Sequence, residues 1–309
     1  MEKAKINVTG TLIILIALLW LLPSVGEAAT LTVPCPTASL QAAIDKAKPG
    51  DTLLVSGVCN ENLSIGEGNH GIVLDGQGRA TLNGPSAVLD TVGVEGARAI
   101  TIKGFTITGG RVGIIVELSG TAKIDSNTIQ NAGTTGIVVA HHGFAQIVNN
   151  TIQSNPGAGI TVTGSASAYI GFLSIRDTTP SPNTIQGNGL QGIGVIRSSH
   201  ARIVGNTISN NKGSGVEVTR ASQADIAGNT ISGNGRDGIV VSGNSGINLA
   251  PDPGIFSKPN STTSNNSGFG IRCEIGGYAT GLIGSLNGAR GAKDLSDPGC
   301  VDRLALPQQ

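Results

Sequence analysis

The sequence predicts an all-β fold: a single-stranded parallel β-helix, with three short strands per coil and an N-terminal capping helix. Three observations carry this prediction. Glycine fills 47 of 309 positions, about twice its usual share and with no triplet period, as turn-rich β proteins require and collagen does not. Asn-Thr-Ile recurs at Asn127, Asn150, Asn183, Asn206 and Asn229, with gaps of 23, 33, 23 and 23 residues. Gly-(Ile/Val) recurs at Gly136, Gly159, Gly192, Gly215 and Gly238 with the same gaps, and Ile124, Ile147, Ile170, Ile203 and Ile226 form a third column spaced 23, 23, 33 and 23. The odd interval is 23 + 10, so one coil carries a ten-residue insertion between Ile170 and Asn183.

Taken in chain order, the first element is a targeting segment. Lys3 and Lys5 precede a 12-residue apolar run, Thr11 to Leu22, which is too short to span a bilayer. Small residues at Gly26 and Ala28 predict cleavage after Ala28, making residues 1–28 a signal peptide. The 309 − 28 = 281 residues that follow hold no second long apolar stretch, so no membrane association is expected after cleavage. Residues 29–60 are expected to form the N-terminal cap, with Ser39 to Lys48 as an amphipathic helix stopped by Pro49-Gly50-Asp51. Such a lid covers the strand edges that an open stack exposes.

Residues 61–272 are expected to be coils. Each period holds three apolar-alternating pieces, such as GIVVA, AQIVN and NTIQ. Alternation sends every second side chain inward. Pieces this short cannot bury a core alone, but stacked coils can. The inward columns are Ile114, Ile137, Ile160, Ile193, Val216 and Ile239, then Val116, Val139, Val162, Val195, Val218 and Val241, and on the third strand Ile129, Ile152, Ile185, Ile208 and Ile231. The Asn column shares the parity of the inward Ile two residues later, so it is expected to form a ladder of stacked amides. The Thr residues beside it point outward as a solvated face.

Residues 273–309 are expected to be a C-terminal cap and tail. Four cysteines, Cys35, Cys59, Cys273 and Cys300, remain after cleavage. Three pairings are possible. The local one, Cys35 with Cys59 and Cys273 with Cys300, is preferred because each bond would staple one end of an elongated fold in an oxidising compartment. Zinc would need ligands two to four residues apart, and no pair has that spacing.

The stretch LQAAIDKAKPGDTLLVSGVCNENLSI, then LDGQGRATL, then the repeated NTI…GI coils, resembles the NosD-like and pectate-lyase-like right-handed parallel β-helix superfamily. The resemblance covers most of the mature chain. It implies the fold and leaves open polysaccharide lyase, epimerase, hydrolase and scaffold roles. None of the superfamily's catalytic patterns carries over. Glu117 and Glu217 lie four coils apart, roughly 19 Å at strand spacing, too far to share a calcium ion. Paired aspartates near Gly-His-Gly and the sequence Asp-Pro-His-Glu are both absent. Met1 is the only methionine and there are four His, a poor set for copper. No metal and no cofactor are expected.

Twenty Lys+Arg balance twenty Asp+Glu, which argues against nucleic acid as partner. The informative residues lie near one edge. The turn after the first strand aligns Leu118, His141, Gly164, Arg197, Arg220 and Gly243, which puts two arginines on adjacent coils. The second strand presents Lys123, Gln146, Tyr169, Arg202, Asp225 and Asn248, and the insertion leaves just after Tyr169. Arg197, Arg202 and Arg220 are the candidate substrate-binding residues, since guanidinium suits a carboxylate or sulfate. His141, His142 and Tyr169 are the candidate catalytic groups, able to take the proton beside a neutralised uronate carboxylate. The bland alternative pairs Arg220 with Glu217 or Asp225 in solvent. Scarce aromatics (3%) favour a non-catalytic scaffold or glycan-binding protein over the alternative, a lyase or epimerase acting on an acidic polysaccharide.

Overall fold

A computed structural model describes residues 28–305, so nearly all of the expected signal peptide lies outside the described residues. Among the described residues parallel pairings alone connect the strands, and they build a right-handed β-solenoid of about 12 coils. The first strands form one sheet of ten, from Leu63–Ile65 to Lys293–Asp294. The second and third strands stack on the other sides of the coil. They merge into one sheet where Val73–Gly84 and Ile100–Gly109 run through the corner as continuous bent strands.

Register follows the sequence columns. Ile137 pairs with Ile114 and Ile160, and Ile193 with Ile160 and Val216. Every Ile and Val of the three predicted inward columns is fully buried. Each such side chain stabilises by about 1.5–3 kcal/mol.

Each of the three corners also carries a polar ladder. Between second and third strands, Asn127, Asn150, Asn183, Asn206, Asn229 and Asn260 stack with exposures of 0–2%. Each of the first five donates from Nδ2 to the Oδ1 of the next coil's Asn at 2.8–3.1 Å. Between third and first strands a second ladder runs through Asn155, Asn188, Asn211, Asn234 and Asn266. Between first and second strands, Ser199, Ser222 and Ser245 accept from backbone N–H groups of the preceding coil. Corners are where backbone groups lose their sheet partners, and these side chains replace them.

At the N-terminal end the helix spans Leu40–Ile44, shorter than the expected Ser39 to Lys48. After Ile44 the bonds tighten to the i−3 type, Lys46 N–H to Ala43 O and Ala47 N–H to Ile44 O, as the chain turns toward Pro49. Ser39 Oγ caps the helix, and Glu61 accepts from the Leu40 and Gln41 amides at 2.8 and 3.1 Å. Two backbone N–H bonds, from Lys48 and Ala29, hold the Asp51 carboxyl below the usual range. The disulfides are Cys35–Cys59 and Cys273–Cys300, the local pairing. Past Cys273 the chain continues the stack, with Val301–Ala305 paired to Tyr278–Leu282. No helix among the described residues is long and apolar enough to cross a membrane.

Outside the barrel sits a second, smaller core. The insertion at Gly171 to Pro182 and the segment Ala250 to Asn260 fold onto the outer side of the second-strand stack, bringing Phe172, Ile255 and Phe256 over Val204 and Ala227. Tyr169 stacks on Phe172 at 4.7 Å, and the Phe172 and Phe256 rings meet edge to face at 5.1 Å.

Candidate functional site

The turn after the first strand is a pair of consecutive left-handed residues repeated from coil to coil. Its first position is His141 (φ 46°), Gly164 (φ 65°), Arg197 (φ 56°), Arg220 (φ 57°) and Gly243 (φ 61°) in successive coils. Backbone bonds hold these turns in register, with Ser165 N–H donating to Arg197 O and Ser198 N–H to Arg220 O. A left-handed conformation costs an ordinary residue about 1 kcal/mol and glycine almost nothing. Arginine at these two positions is therefore a choice the backbone does not ask for.

Both side chains are exposed, and neither pairs with a carboxylate among the described residues. The pairing of Arg220 with Glu217 or Asp225 does not form: Arg202 takes Asp225 instead, at 2.9 Å. Two arginines thus sit on adjacent coils, their backbones about one strand spacing, ~4.8 Å, apart, with no carboxylate partner among the described residues.

Two coils before Arg197, His141 Nδ1 lies 2.8 Å from Glu117 Oε2. Gly164, on the coil between, leaves the imidazole open on that side. Glu117 stands in register with Glu95 on the preceding coil, so two carboxylates and one imidazole occupy three consecutive coils. His142 is exposed beside them. Among the described residues no three His, Cys, Asp or Glu side chains converge as metal ligands do.

The edge therefore gathers His141, His142, Arg197 and Arg220. It does not gather Tyr169 or Arg202. Tyr169 is committed to the aromatic block through Phe172 and, edge to face at 5.2 Å, Phe144. Arg202 lies over the Phe256 ring at 4.9 Å and also bonds Asp252 at 3.3 Å, which clamps the Ala250 to Asn260 segment to the stack. Nearby, burial holds the His200 imidazole below its usual range, opposed by Asp225 and assisted by Arg202.

The profile described as "Right handed beta helix region" matches residues 53–179, 90–252 and 135–285. The chain belongs to the right-handed β-helix family. No curated protein sequence matches it. Among solved structures, this β-helix is similar to the A-module of a mannuronan C-5 epimerase from Azotobacter vinelandii, at 14% identity over 92% of both chains with a TM-score of 0.55. It is also similar to a pectate lyase (12% identity, 89% of this chain and 82% of that one, TM-score 0.45). A periplasmic alginate epimerase is similar at 14% identity and a TM-score of 0.44; the β-helix covers 55% of that protein's length with 90% of its own. At these identities the likeness shows the fold.

The β-helix thus holds one pairing that the sequence reading missed. Glu95 follows Val92 and Val94 at the offset by which Glu117 follows Ile114 and Val116. Extending the columns by one coil toward the N-terminus reveals it.

Proposed function

We propose that this right-handed β-helix is an exported protein that binds an acidic polysaccharide along the edge formed by the turns after its first strands. The observation that carries the proposal is the pair Arg197 and Arg220: exposed, without carboxylate partners among the described residues, and set at left-handed positions that glycine occupies on the flanking coils. A polymer with a carboxylate or sulfate on each unit can bridge guanidinium groups that repeat at coil spacing. The two disulfides and the basic-then-apolar start of the chain support export.

The test is binding of polygalacturonate and alginate, with a neutral glucan as control, to the mature protein and to Arg197→Ala/Arg220→Ala. Two exposed charge contacts at about 0.7 kcal/mol each predict roughly tenfold weaker binding at low salt. Unfolding should be unchanged because neither arginine packs. Equal binding by the double variant would remove the edge from consideration.

One observation favours a second reading, a lyase or epimerase on the same polymer. The Glu117 carboxylate orients the His141 imidazole at 2.8 Å, the arrangement of a general base held by an acid. Proton NMR of each polysaccharide before and after long incubation separates the two. New olefinic or inverted-configuration signals, lost in His141→Ala, establish turnover; unchanged spectra with retained binding establish a binding protein.

A further inference from the structure

On the other side of the first-strand sheet, the turn that leads into each strand forms its own stack. Arg236 N–H donates to Gly213 O at 3.2 Å, Gly268 N–H to Arg236 O at 2.8 Å and Arg290 N–H to Gly268 O at 3.0 Å. Arg236 and Arg290 therefore flank Gly268, one coil away on either side. Arg272, the outward residue in register with Val240, closes the third side. Together with Asp237 and Gly268, these three arginines line a cleft of about 290 Å³.

Its floor is Asp237, only 4% exposed. Asp237 Oδ1 accepts the Phe269 N–H at 2.7 Å, and Oδ2 faces Arg272 Nη1 at 3.6 Å. Arg272 Nε is bonded to Glu274 at 2.9 Å, outside the cleft. Arg236 and Arg290 are exposed and have no carboxylate partner among the described residues. The lining carries three positive charges against one negative, on a chain whose formal charge is zero.

Gly268 makes the space. A Cβ there would collide with Asp237 Oδ1 and the Arg236 carbonyl carbon, so any other residue would push the carboxylate out of its bond and fill the notch. The volume is at the lower limit of ligand-sized cavities, ~300 Å³, which suits one small anionic unit.

We propose that this cleft is an anion subsite for a single carboxylate- or sulfate-bearing sugar unit. It deepens the reading above, resting on the acidic polymer as ligand class, but it uses different residues and coils. The arginine edge and the cleft then lie on opposite margins of the first-strand face, whose outward residues between them include Gly194, Glu217, Thr219 and Val240, so a bound chain has to pass beside the Glu217 carboxylate. An acidic chain crossing that face diagonally would meet guanidinium at both margins.

The experiment is an NMR titration of the mature protein with arginine side chains labelled, using sodium D-galacturonate, sodium sulfate and neutral galactose as probes. Saturable shifts of the Arg236, Arg272 and Arg290 Nε–H signals with the charged probes, and none with galactose, are expected. The relative response to galacturonate and sulfate tells which group the cleft prefers. Arg236→Ala/Arg290→Ala should weaken the titration at least tenfold, and Arg197→Ala/Arg220→Ala should leave it unchanged. Asp237→Asn keeps the acceptor for Phe269 while removing the negative charge, so it should tighten binding, which a purely structural aspartate would not do. Linear shifts spread over all arginines, or a cleft variant that titrates like the unaltered protein, would overturn the subsite. Cleft saturation without polymer binding would sink only the edge; polymer binding lost in Arg197→Ala/Arg220→Ala with a silent cleft would sink only the subsite.

Discussion

Asn206 shows what a single residue does in this molecule. Its Oδ1 accepts both the Asn183 N–H at 3.0 Å and the Asn183 Nδ2 at 2.8 Å, while its own Nδ2 reaches Ile170 O, Val204 O and Asn229 Oδ1. Asn206→Ala would orphan the buried Asn183 N–H, at about 1–3 kcal/mol for a group left unpaired, and take one donor each from Ile170 O and Val204 O. We expect at least about 2 kcal/mol of lost stability in urea unfolding, against under about 0.5 for Thr207→Ala on the solvent side. Equal midpoints for the two variants would contradict the ladder. The Asn-Thr-Ile ladder was legible because its parity is tied to an inward Ile. The Asn155 ladder was not, although it repeats at 33, 23, 23 and 32 residues. Asn155, Asn188, Asn211 and Asn234 each follow a third-strand Ile by three residues, an odd offset that strand alternation reads as outward, and only the turn that the chain makes there brings them inside.

Elements behave differently from residues, because the loops carry a core of their own. Phe172 is fully buried between Tyr169 and Phe256. Phe172→Ala removes a group whose loss from a core costs about 3–5 kcal/mol. That cost belongs to the loops rather than to the coils. Amide exchange should quicken across residues 171–182 and 250–260 and stay slow in Thr184–Gln186 and Thr207–Ser209. Exchange that accelerated throughout would show the satellite core to be part of the main one. No sequence pattern joins these partners: Phe172 and Phe256 sit in two unrepeated segments, and only folding of both onto one sheet face brings them together. The same contact explains Arg202, whose position in the outward column was read correctly while its commitment to Asp225, Asp252 and Phe256 was hidden. The cleft was unreadable for a related reason. Arg272 and Arg290 follow an irregular coil, where the spacing that aligned Arg197 with Arg220 no longer holds.

For the whole molecule, stability is distributed along one axis, since each coil touches only its neighbours. The disulfides close loops of 24 and 27 residues, one at each end, and each contributes about 3 kcal/mol by restricting the unfolded chain. Reduction should therefore loosen the terminal coils first. Limited proteolysis after reduction is expected to cut near Cys35–Cys59 and Cys273–Cys300 while leaving a fragment spanning the central repeats. A single all-or-none loss of the fold would refute this additive picture. From Asn127 to Asn229, every bond from one ladder asparagine to another runs toward the coil that follows, so the Asn-to-Asn bonds form a one-way chain. A polypeptide emerging N-terminus first ends, at every stage, on an asparagine whose backbone N–H is still unmatched, and the next turn of chain brings the Oδ1 that receives it. Assembly can then proceed as a polymer grows from one active end, with biosynthesis and hydrogen-bond polarity running in the same direction.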